Sequence, residues 1–487
     1  MFILINLIAG AAMRLYYLTM RGTFWFDEVF TVHYSGLPWH EAIKYWTLET
    51  NPPLHTLFMR YWIGIFSDGE FVTRLSSVIF AVASIWMLYY FGKTFFNKYT
   101  GNLASFFLSF SGLHIFLSTE ARAYSLNILL CLISFFLFFK IFYSKKQGKK
   151  IFLGYFLIQL AMLYTHLTLA VIPIVQLLCL FILQNDKKEV RKFVSLHIIA
   201  GLLFAIWFIP SILSKSNVGT FNGWFFTEDA TYANVYSTLM AFFAISKVDS
   251  LTISFFVILL TGLICALVVY IKENLDKKAT PLLMCLAVWA FIPPVLSNVF
   301  GIYIPKYSFF SAPALFLIFG FLLSESKSAL LQKIIPFLTF SVMLVPISSV
   351  MTTPVYDAYS HTKFIEEHET ENSVVVVVPF NEEILLKRYY NGNTPIVGFY
   401  PREDELPLEE RIVRYNWQEL QVAPEVVDKK MRALTDGKDK VFFSKYILES
   451  EPIEDWLKKN GWKYQSTTIA GNYVQIFLLE YDAPADW

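Results

Sequence analysis

Apolar stretches of about 18 residues or more, each long enough to cross a hydrocarbon core as a helix, follow one another from the N-terminus to about residue 351. Their limits are 1–18, 71–92, 101–117, 122–143, 151–166, 168–184, 193–213, 251–271, 279–300, 306–323 and 329–351, about eleven in all. The stretches 151–166 and 168–184 read as a hairpin, because roughly 34 apolar residues exceed one crossing and His166 with Thr168 marks a polar tip. At 487 residues, 55% hydrophobic, 18% aromatic and only 16% charged, the chain is too apolar for a soluble protein of its size. The fold class is an α-helical polytopic membrane protein. A net charge of +1 implies no nucleic-acid partner and no polyanion-binding tail. Cys131, Cys179, Cys265 and Cys285 all lie in apolar segments, which indicates neither a disulfide framework nor a zinc site. Met1 to Leu18 lacks the basic start and small-residue cleavage site of a signal peptide and reads as a retained first span.

Lysines orient the array. Lys93 and Lys98, then Lys145, Lys146, Lys149 and Lys150, then Lys187, Lys188, Arg191 and Lys192, then Lys272, Lys277 and Lys278 fall in alternate loops, which the positive-inside rule makes cytoplasmic. The N-terminus is then cytoplasmic, and an odd number of spans leaves the C-terminus on the other side. No Asn-X-Ser/Thr sequon occurs, which favours a prokaryotic plasma (inner) membrane over the endoplasmic reticulum. The Asp27 loop, the Ser118–Arg122 turn, the His166 tip, the 214–250 segment, the Gly301–Lys306 turn and everything after Thr353 share the outer face. That one-sidedness suits an enzyme at the outer surface better than a transporter, whose coupling carboxylates sit near the midplane.

Asp27-Glu28 lies just past the first span, and a carboxylate at the rim of a lipid-embedded cavity is costly without a job or a partner. The same outer loop, 19–70, continues through Glu49-Thr50-Asn51-Pro52-Pro53-Leu54-His55. Trp39, Ala42, Ile43 and Trp46 recur at helical spacing, as do Leu54, Phe58, Tyr61, Trp62 and Ile65, so two amphipathic interfacial helices are expected with a break at Asn51-Pro52-Pro53. After Thr353 the runs Val374–Pro379, Pro395–Phe399, Lys440–Phe443 and Val474–Leu479 read as buried strands, with helical patterns at 381–390, 424–435 and 453–459. The expected domains are a transmembrane catalytic domain, 1–353, and a small extracytoplasmic α/β domain, 354–487. No Gly-rich phosphate loop opens any of the latter's helices, which suggests a structural, acceptor-positioning or partner-binding role outside the chemistry.

Arg14-Leu15-Tyr16-Tyr17 leading into Trp25-Phe26-Asp27-Glu28, then Asn51-Pro52-Pro53-Leu54, Phe71-Val72-Thr73-Arg74-Leu75-Ser76, Ser111-Gly112-Leu113-His114-Ile115, Ser118–Ser125 and Tyr164-Thr165-His166 occur in order through roughly the first 170 residues. Together they resemble the bacterial glycosyltransferase family 39 proteins, relatives of the protein O-mannosyltransferases and aminoarabinose transferases in the GT-C superfamily; the Tyr303–Pro313 segment fits more loosely. The resemblance implies a GT-C fold and a multi-spanning enzyme that takes a sugar from a polyprenyl-phosphate donor in the membrane. Transfer goes to an acceptor on the outer side, which is a protein, a lipid or an envelope glycan. It also implies inversion at the anomeric carbon and no nucleotide-sugar site.

An acceptor hydroxyl attacking an anomeric carbon needs a base within hydrogen-bond reach, and Asp27 matches the family's acidic position. Its ordinary reading is a surface acid at a helix end. Glu28 fits better as a group orienting backbone or a neighbouring cation. No cofactor is expected; a divalent cation between Asp27 and Glu28 is the less favoured reading, since adjacent side chains often diverge. The leaving phosphate needs cations at the rim. Arg122 can fork onto two phosphate oxygens, or equally pair with Glu120 and staple the turn. Lys306 stands where relatives more often carry Arg, keeping the charge without the bidentate geometry. His166 reads as a phosphate or sugar ligand or as a structural residue at a helix end, and Arg74 as a residue snorkelling to the interface. Asn51 replaces the histidine that many relatives have before Pro-Pro, and Glu49 either contacts the acceptor or caps the second interfacial helix. His33 and His55 form no recognised metal pattern with Asp27 and Glu49. The alternatives are a polyprenyl-lipid carrier that does not react its cargo, and an oligosaccharide transferase or polymerase on the same scaffold.

Overall fold

The computed structural model describes residues 2–49, 51–145, 148–216, 232–243, 250–301, 304–352, 357–400, 406–414, 423–445, 451–468 and 475–481. Lys146, Tyr303, Thr353, Val474 and much of the 214–250 segment lie outside them. The chain separates into two compact units: Met1–Met20 with Asn51–Pro210 and Phe225–Thr353, and Arg21–Thr50 with Ser211–Trp224 and Pro354–Trp487. The division groups much of the first outer loop with the C-terminal residues.

Among the described residues each of the eleven apolar stretches is mainly helical. Phe2–Met20, Glu70–Phe95, Tyr124–Tyr143, Lys187–Ser214, Ser250–Glu273 and Thr280–Val299 are each long and apolar enough to cross a membrane; Leu167–Ile182, Phe309–Glu325 and Ala329–Val345 are shorter. The 101–117 stretch is two helices, Lys98–Phe110 and Gly112–Leu117. Ser111 makes the break: its hydroxyl accepts from the His114 N–H at 3.3 Å as an N-cap and donates to the Phe242 carbonyl at 2.6 Å.

Arg14 lies fully buried on the first helix. Its guanidinium donates to the carbonyls of Gly10 (2.8 Å), Ser109 (3.0 Å) and Leu108 (3.3 Å) and to His114 Nδ1 (2.7 Å). The same His114 Nδ1 lies 3.0 Å from the Leu108 carbonyl oxygen, so the guanidinium, the ring and that carbonyl form one buried cluster. That ring stacks on Phe309, centroids 5.8 Å apart.

Small residues set the closest helix approach. A Cβ on Gly101 would lie 2.5 Å from the Tyr89 carbonyl oxygen, and one on Gly92 would lie 2.6 Å from the Gly101 Cα. Close packing of membrane helices depends on such positions. Gly101→Val is therefore expected to cost about 1–3 kcal/mol, seen as a lower melting temperature of the purified protein; an unchanged melt would show that the helices part freely here.

The second unit contains a five-stranded sheet of β1 (Ser373–Val378), β2 (Ile396–Gly398), β3 (Lys440–Lys445), β4 (Trp462–Thr468) and β5 (Gln475–Tyr481), in the order β2-β1-β3-β5-β4. β1 runs parallel to β2 and β3, while β5 is antiparallel to β3 and β4. Five consecutive valines suit a central parallel strand, because both of its faces are covered. Val374, Val376 and Val378 pack with Val427, Met431, Ile453 and Trp456 on one face; Val375 and Val377 pack with Ile365, Leu386 and Phe442 on the other. β4 was not expected, because WKYQSTT is too polar to read as a buried strand. The same unit holds the helices Phe26–Gly36 and Trp39–Leu48.

Candidate functional site

Within the second unit, Trp25 is extended (φ −96°, ψ 172°) and caps the Phe26–Gly36 helix. Glu28 is fully buried; its Oε2 accepts from the Trp25 N–H at 3.4 Å and lies 3.9 Å from an Arg21 guanidinium nitrogen. Glu28 is thus engaged with backbone and cation. Asp27, one residue earlier and partly buried, sits in the first helical turn, where the helix dipole favours a carboxylate.

Residues on both sides of the sheet's first strand fasten the approach to Asp27. The Phe24 N–H donates to the Tyr389 hydroxyl at 2.8 Å, the Ala358 N–H to the Thr23 hydroxyl at 2.8 Å, and the Arg388 guanidinium lies 5.0 Å from the Phe24 ring centroid. Glu382 ends the 3₁₀ turn Phe380–Glu382 that leads into the Glu383–Tyr389 helix. Its Oε2 is buried without a hydrogen-bond partner among the described residues. Burial, and then the charge of Asp27, pushes the Glu382 carboxyl up to about 8. Its neighbour Glu383 is fully committed, accepting from Lys387 and from the Gly398 N–H at 2.7 Å.

Glu49 ends the Trp39–Leu48 helix, its N–H donating to the Tyr45 carbonyl at 2.8 Å. Burial, then the charges of Glu49 and Glu409, raises the Tyr34 phenol. The Leu408–Arg414 helix is tied to the loop helices by His33 Nε2 to Glu409 Oε1 (3.2 Å), the Tyr34 hydroxyl to the Glu409 carbonyl (2.6 Å) and Lys44 Nζ to Glu410 Oε2 (2.6 Å). His33 is therefore the hydrogen-bond partner of Glu409 in this clasp.

The first unit gathers the cations. In the Ser118–Ala123 turn the Arg122 N–H donates to the Glu120 carbonyl at 2.8 Å, and the Ser77 hydroxyl donates to that same carbonyl at 2.6 Å. His166 ends the Lys149–Thr165 helix, and the Thr168 N–H donates to its Nδ1 at 3.3 Å. A neutral His166 therefore carries its proton on Nε2. Lys306 Nζ lies 5.2 Å from the Tyr124 ring centroid and 5.6 Å from that of Tyr307, and both rings lie within 6.2 Å of the His166 ring. The charges of Arg122 and Lys306 both act on His166. The sequence-derived set Arg122, His166 and Lys306 is one cluster.

His55 belongs to it as well, and the sequence analysis placed it in no role. It is buried at the start of the Leu54–Ile65 helix, with Nε2 lacking a partner among the described residues. Burial, then the positive charge of Arg122 and the nearby His166 ring, lowers it to about 3. Its position right after Pro52-Pro53 was the available signal. An unfolded histidine titrates near pH 6.5, so the unfolded chain binds the proton first and stability falls as pH drops from about 6.5 towards 3. His55→Gln is expected to flatten that fall in melting temperature; a slope equal to wild type would place the ring in water.

Arg74 is a correction. It does not snorkel: it is 1% exposed on the Glu70–Phe95 helix, among the largest fully buried side chains. The helix turns this position inward, so the guanidinium packs inside the first unit. Asn51 occupies a bend before Pro52 and is partly buried. Glu382 had no sequence signal, being one acid in a helical pattern.

Residues 50–213 match the family model described as dolichyl-phosphate-mannose-protein mannosyltransferase. A search of curated proteins gave no match. Among solved structures the chain is similar to ArnT from Cupriavidus metallidurans bound to undecaprenyl phosphate, at 12% identity and a TM-score of 0.63, covering 98% of this chain and 97% of that one. It is also similar to the Archaeoglobus fulgidus oligosaccharyltransferase in its apo form, at 10% identity and a TM-score of 0.56 over 95% of this chain and 73% of that one. The same archaeal enzyme, AglB, in complex with an inhibitory peptide and a dolichol-phosphate, matches at 10% identity with a TM-score of 0.52, over 99% of this chain and 75% of that one. The chain thus has the fold of the ArnT and archaeal oligosaccharyltransferase structures, and its residues 50–213 match the mannosyltransferase family model.

Proposed function

We propose that the chain is a membrane glycosyltransferase that transfers a hexosyl or pentosyl unit from a polyprenyl-phosphate-linked donor to an acceptor on the extracytoplasmic side, with inversion. The observation that carries the reading is the grouping of Arg122, Lys306 and His166, a set of donors suited to a phosphate. It is supported by the whole-length likeness to a protein solved with undecaprenyl phosphate. In the proposed step the acceptor oxygen attacks the anomeric carbon while Asp27 takes its proton. The bond from that carbon to the phosphate oxygen breaks, and its electron pair leaves on the polyprenyl phosphate, whose charge Arg122 and Lys306 stabilise. A single displacement inverts the anomeric centre. Asp27 and the C-terminal α/β unit are assigned to the extracytoplasmic side, the N-terminus to the cytoplasm, and no step is assigned to a metal.

The test is release of polyprenyl phosphate from synthetic donors by the purified protein, with donor binding followed in parallel. Release coupled to sugar transfer supports the transferase. Tight donor binding with no release across a panel of donors and acceptors would make the protein a lipid carrier instead. The likeness to the archaeal oligosaccharyltransferase gives a second reading, in which a whole lipid-linked oligosaccharide is transferred; oligosaccharide donors in the same panel would distinguish it.

A further inference from the structure

Glu382 stands apart from the other carboxylates around Asp27. Glu28 is engaged by the Trp25 N–H and by Arg21, and Glu383 by Lys387 and the Gly398 N–H. Glu382 keeps one buried oxygen without a partner among the described residues. A buried polar atom left unpaired is costly, so a native site that retains one has a use for it. The turn that carries it leads directly into the Glu383–Tyr389 helix, whose Tyr389 hydroxyl and Arg388 guanidinium hold Phe24, three residues before Asp27. Glu382 therefore lies on the segment that fastens the approach to Asp27, within range of that carboxylate's charge.

We propose that Glu382 is an acceptor-binding residue, a carboxyl supplied by the C-terminal part of the chain that hydrogen-bonds a second polar group next to the attacking hydroxyl. The acceptor then carries two neighbouring polar groups, as a vicinal diol does. One hydroxyl gives its proton to Asp27 and the other engages the open Glu382 oxygen. With its carboxyl raised to about 8, Glu382 is mostly the neutral acid at pH 7, with one O–H to donate and oxygens to accept. In that state it presents no second negative charge to Asp27 and does not compete for the reacting proton. The inference rests on the transferase reading above and deepens it by giving the acceptor a chemical class.

The test uses the full-length protein, a synthetic polyprenyl-phosphate sugar as donor, and methanol or ethylene glycol at equal hydroxyl concentration as probe acceptors. Wild type is expected to favour ethylene glycol about tenfold, the worth of one well-made hydrogen bond in such a site. Glu382→Ala should bring that ratio close to one, and Glu382→Gln, which keeps a donor and an acceptor, should restore most of it. Melting temperature and donor binding of each variant identify a loss that comes from misfolding, and the Gln variant carries the test if the Ala variant fails to fold. A wild type without preference, a Glu382→Ala protein that keeps it, or a Gln variant that folds and binds donor but loses it overturns the proposal while leaving the transferase reading intact. A wild type that transfers to neither probe and releases no polyprenyl phosphate across the whole panel of donors and acceptors removes both.

Discussion

Asp27→Asn is expected to lower the rate of sugar transfer by roughly 10²–10⁴-fold, the range set by loss of a positioned general base, with donor binding at the wild-type level. Asparagine keeps the size and hydrogen-bonding reach of the side chain but cannot take a proton at neutral pH. No neighbour can substitute cheaply. Glu28 is buried and engaged by the Trp25 N–H and Arg21, and drawing it away would uncap the Phe26–Gly36 helix. Glu382 is pushed up first by its burial, which the variant leaves in place. Single-turnover measurement with labelled donor separates the chemical step from binding. Turnover within threefold of wild type would remove Asp27 from the role of base, whatever the fold resembles.

The membrane half of the fold was legible because lipid leaves the backbone few choices: a long apolar run must satisfy its hydrogen bonds internally and so becomes a helix. All eleven stretches obey this. What hydropathy could not show is where a run is interrupted, since Ser111 breaks one with a single capping hydroxyl inside apolar sequence. In the C-terminal unit the valine run declared itself as β1, whereas β4 pairs through its backbone with β5 and carries no apolar signature.

The candidate site was legible to a different degree on its two sides. Arg122, His166 and Lys306 come from separate turns, yet all fall where apolar runs end, so topology alone predicted a shared face, and the structure groups them. Arg74 misled because its sequence position near a helix start resembles that of a snorkelling residue; only the facing of the helix shows it to be buried. Glu382 was invisible for the opposite reason. It stands in a polar segment more than 350 residues from Asp27, and nothing local distinguishes it from Glu383, whose carboxylate is neutralised by Lys387. A reading in which the C-terminal unit stays outside the chemistry follows naturally from its sequence, and the proposal for Glu382 departs from it.

Arg122→Ala is expected to lower kcat/KM for the polyprenyl-phosphate donor by about 10²–10³-fold, the usual loss when a preorganised donor to a developing negative charge is removed. Arg122→Lys should recover only part of it, because an ammonium restores the charge without the fork that engages two phosphate oxygens. The backbone contacts of this turn, Arg122 N–H to the Glu120 carbonyl and the Ser77 hydroxyl to that same carbonyl, do not depend on the Arg122 side chain, so the turn should keep its shape. A second readout separates loss of charge from loss of structure. The Arg122 charge helps hold His55 at about 3. Removing it lets His55 take its proton at higher pH, so the acid-side fall in melting temperature, the one that His55→Gln flattens, ends at a higher pH and is smaller. A variant that keeps wild-type donor turnover would remove Arg122 from the phosphate, and an unmoved acid limb would mean that its charge does not reach His55.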